Sequence, residues 1–239
     1  MEELYIEGGH RLEGTVRIHG AKNSVLPLLA AMTLIDEPVT LENCPQLSDV
    51  RATLSILHAL GCRAGQEGGI IRGGGHPTNA HIADELMRQM RSSIIFLGPL
   101  LAVCGRAEVS LPGGCELGPR PIDWHLQALC RMGAEIEESG GRVAARAPQG
   151  LTGCEISLIF PSVGATENIL LAAVTAKGCT TIVNAAREPE IADLCRFLTA
   201  CGARIEGVGG STLVITGVPR LHGCRYTVMP DRMEAVTYA

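Results

Sequence analysis

The segment 112–121, which reads PGGCELGPRP, holds the residue types and the spacing best suited to chemistry in this chain. Gly113 and Gly114 place the thiol of Cys115 on a turn, because glycine reaches backbone conformations that other residues avoid. Arg120 follows between two prolines, whose rings fix the dihedral angle φ and stiffen the chain. This pattern is typical of a loop that brings a reactive cysteine to an anionic substrate held by a guanidinium group.

Two chemical roles are open to this thiol. An ordinary cysteine has a pKa of about 8.5 and is mostly protonated at neutral pH. Cys115 is therefore suited to act as a general acid or, if a nearby cation lowers its pKa, as a nucleophile. A turn thiol without function is the plainer interpretation, but the flanking glycines and Arg120 favour a functional one.

A second candidate site lies in segment 160–168, FPSVGATEN, where a strand ends and Ser162 is predicted to cap a helix. Free backbone N–H groups and the positive end of the helix dipole favour phosphate oxygens at such a start. Two equivalent helices begin with the sequences AKNS and MRSS, which contain Lys22 and Arg91. Capping alone would explain Ser162, but three converging helix starts predict an anion site.

An internal repeat with a period of about 70 residues supplies the elements that position these residues. Similar segments at 58–63, 131–135 and 200–204 precede Gly-Gly hairpins at 68–69, 140–141 and 209–210. Upstream, each copy has an apolar helix, predicted at 24–34, 92–104 and 165–176, and then a strand, predicted at 39–41, 107–111 and 180–183. The loop after this strand is about two residues longer in copy two, which contains Cys115, and this difference indicates a functional elaboration.

The repeat predicts an α/β fold with helices inside and sheets outside. The predicted helices are rich in Ala and Leu, and a helix that is apolar on nearly all sides is a buried one. One unit cannot bury its apolar face alone, so three units should share a core about a pseudo-threefold axis over residues 21–229. We assign residues 1–20, with a strand pair around Gly8 and Gly9, and residues 230–239 to a second domain that is essentially absent.

Composition excludes several classes of function. The net charge of −5 and the pI of about 5.8 give no support to a nucleic-acid partner. No apolar run approaches the roughly 18 residues that span a membrane, and the N-terminus lacks a signal-peptide pattern. The ten cysteines and seven histidines show no metal-ligand spacing, so we expect no metal and a reduced, cytoplasmic protein. His125, one turn from the Cys115 loop, is only a weak catalytic candidate.

Six motifs carry a resemblance to a known family: GAKNS at 20–24, MRSS at 90–93, LPGGC at 111–115, GPRPID at 118–123, PSVGAT at 161–166 and NAAREPE at 184–190. Over its whole length the chain resembles the N-terminal half of the UDP-N-acetylglucosamine enolpyruvyl transferases, also called UDP-N-acetylglucosamine 1-carboxyvinyltransferases. The resemblance implies an inside-out α/β barrel of three βαβαββ-type units with buried helices.

The resemblance also implies a reaction, namely transfer of the enolpyruvyl group of phosphoenolpyruvate to the 3-hydroxyl of UDP-N-acetylglucosamine, with release of phosphate. This reaction is the first committed step of peptidoglycan synthesis. The resemblance implies no metal and no organic cofactor. Cys115 would donate a proton to phosphoenolpyruvate and form an adduct with it, and Lys22, Asn23 and Arg120 would contact that substrate. The residues implied to hold the nucleotide sugar are Arg91, Arg120, Pro121, Ile122, Asp123, Trp124, Ser162, Val163 and Gly164.

The chain departs from the family pattern at several positions. Trp124 stands where a smaller or polar residue is expected, Phe160 and Ile95 replace a lysine and an aromatic residue of some members, and Val236 replaces a glycine. Family members are also much longer, and their second domain supplies the aspartate that deprotonates the sugar hydroxyl. We therefore predict weak or no transferase activity for this chain alone, and self-association through the partly apolar face that a missing domain leaves.

Three alternatives stay open. One is the sister enzyme that acts on shikimate 3-phosphate, although it does not carry the Gly-Gly-Cys loop. Another is a non-catalytic half-protein that binds a nucleotide sugar or a partner chain. The third is a fragment of a longer gene product.

Overall fold

The computed structural model of the chain describes residues 5, 7–9, 11, 13–110 and 122–239. Unit one contains α1 (Lys22–Ala31), the 3-10 turn Met32–Leu34, β1 (Val39–Glu42), α2 (Ser48–Ala59), β2 (Arg63–Glu67) and β3 (Ile70–Gly74). Unit two contains β4 (His81–Ile82), α3 (Asp84–Met87), the 3-10 segment Arg91–Phe96, α4 (Leu97–Cys104), β5 (Arg106–Ser110), α5 (Asp123–Arg131), β6 (Glu135–Ser139) and β7 (Arg142–Arg146). Unit three contains β8 (Glu155–Ser157), α6 (Val163–Ala173), β9 (Cys179–Val183), α7 (Pro189–Ala200), β10 (Arg204–Glu206) and β11 (Thr212–Thr216), and it is followed by β12 (Arg225–Thr227) and α8 (Arg232–Tyr238).

Three four-stranded sheets share one topology. Their strand orders are β12-β1-β3-β2, β4-β5-β7-β6 and β8-β9-β11-β10. In each sheet the first two strands are parallel and the remaining neighbours are antiparallel. Because β12 comes from the end of the chain and pairs with β1, it completes the first sheet and closes the circle of units. The predicted α/β fold and its three βαβαββ-type units are confirmed.

The core lies around α1, α4 and α6, as the sequence pattern predicts. Every residue of α1 from Ser24 to Ala31 is buried, and α6 is buried from Ala165 to Ala173. The second helix of each unit, by contrast, buries one face and exposes the other. Helices without a polar face are stable only inside, so the sheets form the outer layer.

The Gly-Gly hairpins are also confirmed, and they depend on left-handed backbone conformations. Gly68, Gly140 and Gly209 have φ values of 59°, 57° and 85°, in the region that favours glycine. The predicted apolar helices end within a few residues of their observed bounds, except that 3-10 geometry replaces α-helix at Arg91–Phe96 and Met32–Leu34.

The connection between β5 and α5 contains Cys115. β5 is described to Ser110 and α5 begins at Asp123, whereas residues 43–47 and 184–188 join the strand to the second helix in the other two units. Residues 111–121 lie outside the described residues, so the predicted excess of about two residues stays a prediction.

The described residues before Gly20 carry no strand, so the strand pair expected around Gly8 and Gly9 is not seen there. Gly20 itself pairs with Pro230 as an isolated bridge. A Cβ atom at Gly20 would lie 1.7 Å from the carbonyl oxygen of Asn43, so only glycine fits this position. The assignment of residues 1–20 and 230–239 to a second domain stays a prediction.

No helix among the described residues combines the length and apolarity that crossing a membrane requires.

Candidate functional site

The start of α1 carries the predicted substrate-binding pair Lys22 and Asn23. Asn23 is exposed and Lys22 is partly exposed, whereas the helix is buried from Ser24 onward. The ammonium group of Lys22 lies 2.9 Å from the Oδ2 atom of Asp49 on α2. A cation is therefore available at the open end of a buried helix, with one carboxylate as its present partner.

Asp231 joins the starts of α1 and α8. Its Oδ1 atom accepts hydrogen bonds from the backbone N–H groups of Met233 (2.8 Å) and Glu234 (3.2 Å) and thereby caps α8. Its Oδ2 atom accepts a longer hydrogen bond, 3.4 Å, from the backbone N–H of Lys22. The segment after β12 thus borders the open end of α1.

The start of α6 has the predicted capping geometry. The hydroxyl oxygen of Ser162 accepts a hydrogen bond from the backbone N–H of Ala165 at 3.3 Å. Val163 and Gly164 are the first residues of this helix, and their N–H groups have no acceptor within its own turns. Such groups, together with the helix dipole, suit a phosphate or diphosphate.

A buried network holds α6 against α5 and the 3-10 segment. Asn168 accepts a hydrogen bond from Gly98 N (2.6 Å) and donates two, to Ile94 O and to the Nδ1 atom of His125 (both 3.0 Å). Burial lowers the pKa of His125 to about 4, so the ring is neutral near pH 7. Because Nδ1 accepts, the ring proton lies on Nε2.

His125 also explains why residue 164 is glycine. A Cβ atom at Gly164 would lie 3.2 Å from the Cε1 atom of His125, closer than ordinary side-chain contacts. The ring therefore packs directly on the first turn of α6. This role is structural, and it differs from the weak catalytic role considered from the sequence.

The three helix starts are connected through the second helices. Thr53 on α2 donates a hydrogen bond to the sulfur of Met90, the residue before the 3-10 segment, at 3.1 Å, and the same helix holds Lys22 through Asp49. On the other side, Thr166 of α6 accepts a hydrogen bond at 3.1 Å from the backbone N–H of Ala186, just before α7. Ser24, near the start of α1, also donates a hydrogen bond to Asp193 on α7, so the starts of α1 and α6 both have a partner in or just before α7.

Arg232 and Glu190 form an ion pair that sequence reasoning missed. The Nε atom of Arg232 lies 3.0 Å from Oε1 of Glu190, which is almost fully buried on α7. Glu190 also affects a second buried carboxyl group, that of Glu167 on α6. Burial, with the nearby charges of Glu190 and Glu188, raises the pKa of Glu167 to about 8. The sequence pattern predicted only a charged helix start here, and the distance of 42 positions between the ion-pair partners left no local signal.

The structure describes only some of the remaining residues that the sequence predicts for the site. Asp123 is exposed in the first turn of α5, and Ile122 and Trp124 are partly buried against the core. Cys115, Arg120 and Pro121 lie outside the described residues, as does the side chain of Arg91. No group of three metal-ligating side chains is arranged to hold an ion in the described part of the chain.

A matched pair of asparagines holds the two loops that correspond to the Cys115 connection in the other units. Asn43 and Asn184 follow β1 and β9 with φ values of 58° and 59°. Their amide groups donate to Val228 O (3.0 Å) and Leu158 O (2.8 Å), each just beyond the parallel neighbouring strand. The residue after β5 is Leu111, whose side chain has no amide to donate. The sequence after β5 therefore lacks an asparagine at the position that Asn43 and Asn184 occupy in the other two units.

The structure also contains a cleft of about 1050 Å³ that adjoins the start of α1, since Gly20 and Asp231 line it. It lies between the segment 17–20, the short loop 43–47 and the start of α8. None of the substrate-binding residues predicted from the sequence lines it in the described part of the molecule.

Comparison with known proteins gives consistent relatives. A family model described as EPSP synthase (3-phosphoshikimate 1-carboxyvinyltransferase) matches residues 6–239. Proteins named UDP-N-acetylglucosamine 1-carboxyvinyltransferase are 50% identical in Nitratidesulfovibrio vulgaris, over 238 residues, and 51% identical in Acinetobacter baylyi, over 239 residues. Each alignment covers 100% of this chain but only 57% of the relative, so the chain spans little more than half the length of these proteins.

Solved structures show the same fold. The enolpyruvyl transferase NikO from Streptomyces tendae is 29% identical, with a TM-score of 0.86 over 98% of this chain and 55% of that one. EPSP synthase from Acinetobacter baumannii is 22% identical, with a TM-score of 0.75 over 94% of this chain and 52% of that one, and this similarity supports the fold alone.

Proposed function

The chain belongs to the EPSP synthase family, and from this premise we propose that it takes part in transferring the enolpyruvyl group of phosphoenolpyruvate to the 3-hydroxyl of UDP-N-acetylglucosamine. The observation that carries the proposal is the 50% identity, over the whole chain, with relatives named for this reaction. The proposed reaction is the cytoplasmic first committed step of peptidoglycan synthesis.

In the proposed mechanism, Cys115 protonates the methylene carbon of phosphoenolpyruvate. The neighbouring carbon then gains oxocarbenium character and the sugar hydroxyl attacks it. Loss of a methyl proton and of phosphate restores the double bond in the product. Lys22, Asn23 and Arg120 would hold the phosphate and carboxylate and so fix the attack geometry.

The position of Lys22 supports this part of the proposal. Its ammonium group is partly exposed and pairs with Asp49 in a contact that solvent reaches. Exposed ion pairs contribute little free energy, about 0–1 kcal/mol, so a substrate phosphate can replace Asp49 at small cost. Lys22 would thereby exchange one anionic partner for another.

The nucleotide sugar is proposed to bind where α5 and α6 begin. The N–H groups of Val163 and Gly164 would meet the diphosphate, and Arg91 and Arg120 would add charge. Pro121, Ile122, Asp123 and Trp124 would contact the remainder of the ligand, together with Ser162. The partly exposed ring of Trp124 suits stacking on the uracil base.

A second candidate function is binding of the nucleotide sugar without turnover. It is favoured by one observation, the 57% coverage of the relatives, because the aspartate implied to deprotonate the sugar hydroxyl belongs to the domain not matched here. The shikimate 3-phosphate reaction is less well supported, since the identity to the EPSP synthase structure is only 22%.

The face that a second domain would cover is proposed to promote self-association of this chain. On α8, Met233, Val236 and Tyr238 expose 55%, 73% and 63% of their surface. Sedimentation of the chain at rising concentration tests this point, and a monomer throughout would contradict it.

The function is tested with calorimetry and a phosphate-release assay on the full chain. We expect UDP-N-acetylglucosamine to bind, and phosphate release with both substrates to be weak or absent. Lys22→Ala should weaken phosphoenolpyruvate binding about tenfold or more, the loss of one charge-assisted contact. Lys177→Ala is the matched control, because the ammonium group of Lys177 donates to Gln149 O, at 2.8 Å, and lies far along the chain from the predicted site residues.

The two candidate functions give different results in the same assay. Steady phosphate release would exclude the binding-only function. Binding of shikimate 3-phosphate in preference to the nucleotide sugar would contradict both.

A further inference from the structure

Two cysteines that the proposed function does not use lie in contact. The sulfur atoms of Cys201, at the end of α7, and Cys224, just before β12, are 3.3 Å apart. Their backbones are held together as well, since the N–H of His222 donates to the carbonyl of Cys201 at 2.9 Å. The N–H of Thr40 on β1 donates to the carbonyl of Cys224 at 2.9 Å, which fixes the second segment against the first sheet.

The two thiols have different environments. Cys201 is fully buried, whereas Cys224 is partly exposed and lies two residues from the exposed imidazole of His222. The hydrogen bond from Cys201 lowers the pKa of Cys224, and the nearby His222 lowers it further. The same hydrogen bond and burial raise the pKa of Cys201. Cys224 is therefore the thiol that ionises, and it is the accessible one.

Other described cysteines lack this combination. Burial raises the pKa of Cys44 and of Cys195 to about 12, and that of Cys62 to about 11, so these thiols stay protonated. Cys130 and Cys179 are exposed but contact no second sulfur atom among the described residues. A low pKa, access and an adjacent second thiol are the features of a redox-sensitive cysteine.

We propose that Cys201 and Cys224 form a reversible redox site, which a peroxide oxidises to an intramolecular disulfide. This site is independent of the enolpyruvyl transfer proposed above. The gap between the sulfur atoms must close from 3.3 Å to about 2 Å for the bond to form.

The oxidation has two steps. The Cys224 thiolate attacks one oxygen of hydrogen peroxide, so that an S–O bond forms, the O–O bond breaks and the departing hydroxide takes up a proton as water. The sulfur of Cys201 then attacks the sulfenic sulfur, the S–S bond forms and the S–O bond breaks. The released hydroxide takes the Cys201 proton as a second water. Two thiols lose two electrons and two protons in total, and a dithiol reductant reverses the reaction.

The disulfide would join α7 to the strand that closes the circle of units. β12 pairs with β1 through the register Thr40 with Arg225, Leu41 with Tyr226 and Glu42 with Thr227. A covalent link one residue before this strand restricts the unfolded chain and hinders separation of the strand from the domain. Oxidation should therefore raise the unfolding midpoint.

Peptide mapping of the full chain tests the proposal. The chain is treated with hydrogen peroxide, free thiols are alkylated, and trypsin is added without reductant. Cleavage after Arg196, Arg204, Arg220 and Arg225 places Cys201 alone in peptide 197–204 and Cys224 alone in peptide 221–225. We expect these peptides to be joined, lighter by two hydrogen atoms, and to separate after treatment with dithiothreitol. Oxidation of other thiols without this link would overturn the proposal.

Variants test the order of the steps. In Cys201→Ser, Cys224 should accumulate as sulfenic acid and react with dimedone, whereas Cys179→Ser, the matched control, should still form the disulfide. The oxidised wild-type chain should unfold about 5 °C higher than the reduced chain, and Cys224→Ser should lose this shift. An unchanged midpoint after complete cross-linking would contradict the proposed constraint, and mapping of the wild-type chain decides the site even if a variant does not fold.

Discussion

Buried ionisable side chains are concentrated around the start of α6, where the candidate anion site lies. Glu167 keeps a proton because its carboxyl group is buried and faces two other glutamates, and its pKa is raised to about 8. His125 loses its proton for the same reason of burial, with a pKa lowered to about 4. Both side chains are therefore neutral near pH 7. Glu167 then carries no negative charge that would offset the positive potential of the helix start.

Glu167→Gln should stabilise the protein at pH 8. A folded pKa above the unfolded value of about 4.5 means that stability is greatest below pH 4.5 and is lost as the pH rises towards 8. The amide keeps the shape but does not ionise, so the free energy of unfolding at pH 8 should rise by on the order of 3 kcal/mol and vary less between pH 4.5 and 8. Urea unfolding at several pH values measures this.

Glu155→Gln is the control for this prediction, because Glu155 is exposed on β8. We expect the free energy of unfolding of Glu155→Gln to change with pH in the same way as that of the wild type. An equal pH slope for wild type and Glu167→Gln would show that the carboxyl group ionises normally.

Close approach between elements explains several glycines and asparagines of the chain. Gly164 lets α6 touch the His125 ring, and Gly20 lets the segment before α1 cross over Asn43. Asn43 and Asn184 hold short loops by taking a left-handed conformation and donating to a neighbouring strand.

Gly164→Ala should separate α5 from α6. The added Cβ would meet the His125 ring at 3.2 Å, and the ring, which is hydrogen-bonded to Asn168 and buried, would have to move away by a few tenths of an ångström. We expect a loss of about 1–3 kcal/mol in stability and weaker binding of the nucleotide sugar. Thermal unfolding and calorimetry measure the two effects.

Gly65→Ala is the matched control, since a Cβ atom at Gly65 on β2 would meet nothing within 4 Å. It should leave both measurements unchanged. Full stability and full binding in Gly164→Ala would show that the α5–α6 contact is not required.

The molecule as a whole is a circle of three units closed by its last strand. Tyr226 on β12 donates a hydrogen bond to the Oδ1 atom of Asp193 on α7 at 2.7 Å. The hydroxyl of Ser24 on α1 donates to the other oxygen of the same buried carboxylate. One carboxylate thereby joins the closing strand, the third unit and the central helix that begins with Lys22.

Tyr226→Phe should weaken this closure. Asp193 would lose one donor while remaining buried, and a hydrogen bond to a charged group contributes about 1.5–3 kcal/mol. We expect a lower unfolding midpoint and faster hydrogen exchange at the β1–β12 amide groups. Tyr238→Phe changes an exposed ring and should have no effect; equal midpoints for the two variants would contradict the role of Asp193.

Local signals in the sequence were sufficient for the repeat, the buried helices and the cap at Ser162. Apolar periodicity, glycine turns and capping residues act over a few positions, so they are readable without knowing the fold. Lys22 and Asn23 stand where a buried helix meets solvent, and their contact with substrate stays a prediction.

Long-range contacts were decided only by the tertiary structure. Cys201 and Cys224, Glu190 and Arg232, and Tyr226 and Asp193 are each separated by more than twenty positions, and no periodicity connects them. They meet because β12 returns to the first sheet, and the residues that pack there depend on how three units close around one core.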